Sequence, residues 1–317
     1  MKQYKETSAQ PWVTVAIPTF NRLNLLKRAI ESVVAQNYQN LQIIVSDNAS
    51  TDGTREYLSQ LDREQIQIVF CEQNLGMVAN WDRCLDRASG QYFLLMSDDD
   101  ALTTPYAIAK LVSGFQDDVC QNVGVVFSDI LLERVHKNYV ERTHTKKTFY
   151  TAEEIIVDFF LNRVSVMPCA TLLRTKDIRE IGGYSSFGAA LAVDACAWIT
   201  MVLKYGCACR VAEPLALYRV HQSLSSSSVE VLGGDFPVIG NIIDKNRNCL
   251  SSKGYLSIRR AIQSALNRLP LAVIVRRYRE DKQYKILSMA ADILTWRKMI
   301  FTIDNFVFVV RRVGRHL

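Results

Sequence analysis

YFLLMSDDDAL, residues 92–102, runs from aromatic and apolar residues through a serine into three adjacent carboxylates, then turns apolar again. Two carboxylates about 5 Å apart repel by roughly 3 kcal/mol at an effective dielectric of about 20. A chain that ends a buried strand on three of them must offset that cost. A raised pKa, a helix N-terminus and a bound cation are the physical options.

The flanking sequence sets the strand in a pattern. VTVAI (13–17), LQIIV (41–45), IQIVF (66–70), YFLLM (92–96) and VGVVF (123–127) are short apolar or β-branched runs. Between them, apolar positions recur at helical spacing over 23–36 and 77–88, and TREYLSQL adds a shorter helix. Thr104 before Pro105 reads as an N-cap followed by proline at the first helical position, opening a helix over 106–115. Strand and helix alternating at this spacing predict right-handed βαβ units and a mostly parallel sheet. Functional residues of such a sheet sit in loops at the carboxyl ends of its strands. PTFNR (18–22), SDNASTDGT (46–54) and SDDD (97–100) all fall there. Beyond 130 the spacing predicts a helix in EIIVDFFL, a strand in PCATLLR and a helix in DACAWITMVLKYG. SLSSSSVEVLGG (223–234) is a serine-rich loop, and the chain from about 236 reads as helical and basic.

Composition bounds the class. At 317 residues, 49% hydrophobic and 22% charged, the chain has ample material for a core and for one large α/β domain with an appendage. Eight cysteines lack any C-x-x-C spacing, so a zinc site is not expected and they read as small hydrophobes in a reducing compartment. The first residues show no secretory pattern and no run approaches 18 apolar residues, so a cytoplasmic chain is expected. Residues 251–317 carry a net charge of +10 against +6 for the whole chain.

Each polar cluster has two readings. The acids of SDDD could cap the following helix, although Thr104 already offers a cap. Alternatively they hold a divalent metal, as one or two carboxylates completed by water and substrate phosphates usually hold magnesium. SDNASTDGT makes turns for local reasons, yet Asp47 directly follows a strand and could accept hydrogen bonds from a base or a ribose. In PTFNR, the Phe20 ring could meet a nucleobase or belong to the core. Asp194 lies in an otherwise apolar stretch, where a carboxylate is costly unless paired, hydrated or functional; a solvent-facing N-cap is the other reading. Arg219 and His221 share one face of a short strand. No G-x-G-x-x-G and no P-loop pattern occurs, which disfavours a dinucleotide cofactor.

Taken together, VAIPTFNR, IIVSDNASTDGT, NLGMVAN (74–80), LLMSDDDAL and IGGYSSFGAALAVDACAWITMVLKYG resemble the family 2 glycosyltransferases of the GT-A fold over about residues 12–222. Their form is most similar to the branch acting on bacterial surface polysaccharides, abequosyltransferase-like enzymes among them. The resemblance implies an α/β, GT-A, Rossmann-like and mostly parallel sheet flanked by helices, followed by a basic C-terminal helical extension. It implies a glycosyltransferase domain over 1–222, with a nucleotide-sugar half (12–128) and an acceptor half (129–222), and a loop and basic helices over 223–317. Pro18, Thr19, Phe20, Arg22, Asp47, Asn74 and Asp98 are then expected at the nucleotide. Asp99 is the expected direct ligand of a divalent metal (magnesium or manganese), with Asp100 and His221 beside it and Asp100 orienting the loop. Arg219 is expected at the diphosphate, Gly183 and Tyr184 at the acceptor, and Asp194 as general base. Two positions depart from the family pattern, Val193 where an acid often precedes the base and Ala79 where an arginine often precedes the Asn of the NLG segment.

The resemblance implies inverting transfer from a sugar nucleotide to a hydroxyl of a glycan or lipid-linked acceptor. The basic tail then has two readings, peripheral contact with an anionic membrane surface or packing on protein. Nucleic acid is not expected, since no basic-aromatic motif accompanies the charge. A non-catalytic nucleotide-sugar-binding protein of the same fold is the alternative. A nucleotidyltransferase would need a glycine-rich loop and a lysine after the first strand, and PTFNR supplies neither.

Overall fold

The computed structural model describes residues 10–61, 66–116, 122–134, 137–141, 147–188, 192–219 and 235–280. Side chains are described for these residues except 134, 137–141, 235 and 267–280. The elements in chain order are β1 (Val13–Thr19), α1 (Leu23–Val34), β2 (Leu41–Asp47), α2 (Thr54–Gln60), β3 (Ile66–Phe70), α3 (Met77–Arg87) and β4 (Tyr92–Leu95). Then follow β5 (Ala101–Leu102), α4 (Ala107–Gln116), β6 (Val123–Arg134), β7 (Lys137–Glu141), β8 (Phe149–Thr151), α5 (Ala152–Phe160) and β9 (Thr171–Arg174). α6 (Thr175–Glu180), α7 (Val193–Tyr205), β10 (Cys207–Arg219), α8 (Asp235–Lys245) and α9 (Ser252–Glu280) complete them.

The strands form one mixed sheet in the order β3-β2-β1-β4-β9-β6-β10-β5, with β7 on β6 and β8 on β10. The parallel character expected from the sequence holds for β3-β2-β1-β4. Past β4 the sheet changes: β9 is antiparallel to both β4 and β6, and only β6 and β10 run parallel. The change places β4 at the junction between a parallel half and a mixed half.

β1 is buried along its whole length, as a central strand covered on both faces must be. It runs two residues past the expected end, through Pro18 to Thr19 opposite Asp47. Pairing of β1 with β4 stops at Ala16 opposite Leu95, so the proline's missing N–H falls where only one neighbour remains. Val13, Val15 and Ile17 share a core with Leu26, Ile30 and Val33 of α1 and Ile108, Leu111 and Val112 of α4. α3 lies over the other face, where its Asn80 meets Ser46 of β2. β6 carries a bulge at Gly124, and a Cβ there would stand 2.6 Å from the Met201 carbonyl of α7. Glycine lets the helix backbone approach the strand. Thr104 does receive the Tyr106 N–H, at 3.4 Å, and the regular helix starts one residue later, at Ala107.

By contacts the chain divides into two compact units, one of residues 1–152, 165–188 and 193–220, the other of 153–164, 189–192 and 221–317. In the second, Glu153 accepts the Ser251 N–H at 2.6 Å, at the start of α9. Phe160 of α5 meets Phe236 of α8 at 5.9 Å between ring centroids. Cys71, Cys84, Cys169, Cys196 and Cys209 are buried thiols, as the apolar surroundings predicted. Among the described residues no helix is long and apolar enough to cross a membrane.

Candidate active site

The loops after β1, β2 and β4 open at the same edge of the parallel half, as the topology requires. Asp98, Asp99 and Asp100 are 4%, 7% and 4% exposed, so their mutual repulsion is not relieved by water. The first strand's loop relieves much of it. Asp98 Oδ2 accepts the Thr19 hydroxyl at 2.7 Å and the Phe20 N–H at 3.4 Å. Arg22 Nη1 bridges Asp98 Oδ1 at 3.2 Å and Asp99 Oδ2 at 2.8 Å. Asp100 Oδ1 accepts the Arg219 N–H at 3.3 Å. Burial raises the Asp98 pKa, against the Thr19 hydrogen bond and the Arg22 charge. Burial and the neighbouring Asp99 charge push Asp100 well above the usual carboxylate range, even with the Cys169 thiol hydrogen-bonded to it. The three acids are therefore unequal. Two share a guanidinium, and the third, away from that charge, meets a backbone amide and a thiol, where burial favours its neutral form.

The polar run after β2 works chiefly as a frame. Asp47 is fully buried and accepts the Ser50 N–H, at 3.2 and 3.3 Å from its two oxygens. Ser50 Oγ accepts the Asn21 N–H at 2.8 Å, and Asn21 Oδ1 accepts the Thr51 N–H at 2.7 Å. Asp52 Oδ2 accepts the Leu23 N–H at the start of α1. Asn48 donates to Asn74 Oδ1 at 2.8 Å and to the Gly76 carbonyl at 3.2 Å, and accepts the Leu75 N–H at 3.0 Å. Loops after three successive strands are thereby tied to one another. Phe20 remains 41% exposed beside them, and Leu75 and Met77 also show apolar surface.

Asp194 is the second residue of α7 and is half-buried. It lines a small pocket with Leu95, Pro168, Thr171, Leu173, Tyr184 and Trp198. Leu95 ends β4 three residues before Asp98, so the pocket adjoins the acid cluster's own strand. The Tyr218 phenol of β10 is partly buried. Burial first, then the charges of Asp100, Cys169, Asp99 and Asp194, push its pKa up to about 12. Tyr184 is 3% exposed and its phenol is likewise pushed up, by burial and then by Asp194 and Asp82. Gly183 precedes it with φ +75°, in the left-handed region that favours glycine.

The structure thus brings Thr19, Phe20, Arg22, Asp98, Asp99 and Asp100 together, holds Pro18 in β1 beside them, and sets Asp194 and Tyr184 around the neighbouring pocket, with Gly183 in the turn just before Tyr184. Asn74 is engaged with Asn48. Arg219, expected at the diphosphate, reaches the acids through its backbone N–H, while its guanidinium pairs with Glu133 at 2.5 Å. His221 lies outside the described residues. Asn48, Asp52, Asp82, Cys169 and Tyr218 were not singled out from the sequence. The first two stood in a run whose turn chemistry was visible. The other three had no local signal, because their partners are distant in the chain.

Comparison with known proteins follows this geometry. TuaG of Bacillus subtilis, a glycosyltransferase named for teichuronic acid biosynthesis, is 25% identical over 224 residues, 70% of this chain and 84% of TuaG. The GalNAc(5)-diNAcBac-PP-undecaprenol β-1,3-glucosyltransferase of Campylobacter jejuni is 34% identical over 127 residues, 39% of this chain and 40% of that protein. Among solved structures, S. aureus TarS 1-349 in complex with UDP superimposes with a TM-score of 0.62 at 15% identity, covering 81% of this chain and 71% of that one. The mannosyltransferase PcManGT of Pyrobaculum calidifontis, in complex with GDP-Man and Mn2+, gives 0.60 at 17% identity, covering 96% and 84%. The fold is the GT-A arrangement the sequence led one to expect. The glycosyl transferase family 2 model matches residues 14–182, more than half of the chain, and the chain belongs to that family.

Proposed function

We propose that this glycosyltransferase moves a sugar, with inversion, from a nucleoside diphosphate sugar to a hydroxyl of a glycan or lipid-linked acceptor during cell-surface polysaccharide synthesis. The observation that carries the reading is the pairing of two unlike acidic sites along one strand end. Asp98 and Asp99 share Arg22, and Asp194 lines the pocket closed by Leu95. The names of TuaG and the Campylobacter glucosyltransferase support the acceptor class, and the nucleotides in TarS and PcManGT support the donor class.

Asp194 takes the proton of the acceptor hydroxyl as that oxygen forms its bond to C1. The bond from C1 to the diphosphate breaks on the opposite side, and a single displacement inverts the anomeric centre. Arg22, bonded to Asp98 and Asp99 yet 39% exposed at its side chain, is the cation available to meet negative charge on a leaving diphosphate. Phe20 offers an exposed ring to the base, and the frame of Asp47, Asn48 and Asn74 fixes the loop beside it.

Among the described residues no group of three or more His, Cys, Asp or Glu side chains is arranged to hold a metal ion. One hard carboxylate completed by water and substrate phosphates is nonetheless a usual donor set for magnesium-type ions, and Asp99 fits it. Asp99 would hold such an ion, which supplies Lewis-acid stabilisation of the leaving diphosphate. Asp100, buried and hydrogen-bonded to the Arg219 amide, orients the loop. Calorimetric titration of UDP, GDP, CDP and dTDP, with and without Mn2+, tests this. One nucleotide is expected to bind at least about tenfold more tightly with the metal, and Asp99→Asn is expected to remove that gain. Binding indifferent to both metal and mutation removes the metal role from Asp99.

A membrane-side location for the acceptor goes with this reading. α9 exposes Lys253, Leu256, Arg259 and Arg260 within its first turns, a basic face with an apolar residue. Sedimentation with anionic vesicles, but not with neutral ones, is expected. Equal recovery with both counts against membrane contact.

A further inference from the structure

α3 contributes three consecutive residues, one reaching the strand that ends on Asp47 and two reaching Tyr184 and its turn. Asn80, 3% exposed, accepts the Ser46 hydroxyl at 2.6 Å and donates to the Ser46 carbonyl at 3.0 Å, one residue before Asp47. Trp81 meets the Tyr184 ring edge-on, 5.5 Å between centroids at 83°. Asp82 spends both carboxylate oxygens on the turn that carries Tyr184. Oδ1 accepts the Tyr184 N–H at 2.6 Å, and Oδ2 accepts the Ser185 N–H at 2.9 Å. Hydrogen bonds to an ionised acceptor are roughly twice as strong as neutral ones.

The turn is built to accept this grip. A Cβ added to Gly183 would stand 2.6 Å from Asp82 Oδ1, closer than real Cβ atoms come, and the positive φ already selects glycine. Tyr184, so held, lines the pocket with Asp194 and Trp198. α3 buries Asn80, Trp81, Cys84 and Leu85, whereas Asp82 is only partly buried, so its two hydrogen bonds to the turn are not part of the helix's apolar packing.

We infer that Asp82 is a positioning residue for the reaction: by clamping the 183–185 turn it sets Tyr184 against Asp194 and so fixes the base relative to the nucleotide side of the site. The inference rests on Asp194 being the base. Asn80 anchors the same helix to the strand that precedes Asp47, so one rigid helix relates the donor loop to the acceptor pocket. Misplacing a reacting group by about 1 Å can cost on the order of 100-fold in rate.

The test compares wild type, Asp82→Ala, Asp82→Asn and Asp194→Asn by steady-state transfer, acceptor-free hydrolysis of the sugar nucleotide, nucleotide titration and thermal unfolding. Asp82→Ala is expected to lower kcat roughly 10- to 100-fold, with nucleotide affinity within about threefold of wild type. The ratio of transfer to hydrolysis is expected to fall as well. Asp82→Asn keeps one accepting oxygen and is expected to fall between the two. A wild-type kcat in Asp82→Ala overturns the inference. So does a joint fall of kcat, nucleotide affinity and melting midpoint in both Asp82 variants, which marks a merely structural contact. Wild-type turnover in Asp194→Asn overturns the base assignment itself and the inference with it. Loss of turnover there, beside an unaffected Asp82→Ala enzyme, overturns the inference alone.

Discussion

Asp194→Asn is expected to lower turnover by about 1,000-fold, within the range that a positioned general base contributes. The substitution keeps the shape of the side chain, and Asp194 is half-buried at the start of α7, so the fold is expected to tolerate it. Asparagine accepts a hydrogen bond from the acceptor hydroxyl but cannot take its proton. On the proposed reading the nucleotide is held at Thr19, Arg22 and the end of β4 rather than at Asp194, so its affinity is expected to stay unchanged. Initial rates of nucleoside diphosphate release, set beside calorimetric affinities, measure the two separately. Turnover within a few-fold of wild type rules Asp194 out as the base.

The largest effect on stability is expected at a pair the site does not contain. Arg210 of β10 donates from Nε to Asp129 Oδ1 at 2.8 Å and from Nη2 to Oδ2 at 2.6 Å, with both side chains 4% exposed. Nη1 also donates to the Lys147 carbonyl at 3.1 Å. Asp129→Ala removes the counter-charge and leaves a guanidinium buried between strands, a change that costs about 3–5 kcal/mol. The double variant Asp129→Ala with Arg210→Met removes both charges and is expected to recover much of that loss. By contrast, the Arg28–Glu133 pair is 3.5 Å apart with Arg28 half exposed, and its removal is expected to cost less than about 1 kcal/mol. Urea unfolding of the three variants checks the ranking. Asp129→Ala as stable as wild type contradicts it.

The parallel half of the fold was legible because its signal is local. Short β-branched runs alternate with helical spacing, and β2, β3 and α3 begin where the residues themselves indicate. The mixed half was less legible. β9, β6 and β10 are held by partners far along the chain, and β6 runs to Arg134 where the apolar run alone ends at Phe127. The passage of β1 through Pro18 depended on which neighbours pair there, and that is a property of the sheet.

The site divides the same way. That SDDD must have its charge offset was evident from three adjacent acids. That Arg22 offsets it was not, because 76 residues separate Arg22 from Asp98. The turn-forming residues of SDNASTDGT announced a turn, but their sequence could not show that Asn48 and Asp52 tie that turn to the loops on either side. Asp82 gave no signal at all. An acid on a surface helix reads as solvated until the turn it holds, a hundred residues on, is seen folded against it.

The most direct measurement of the central claim is an anomalous-difference map from crystals soaked with Mn2+ and the nucleoside diphosphate that binds best. The account predicts a manganese peak within roughly 2.0–2.6 Å of an Asp99 oxygen and of the diphosphate, on the side of the pocket opposite Asp194. Nucleotide bound with no manganese at Asp99, or with its diphosphate away from the end of β4, contradicts it.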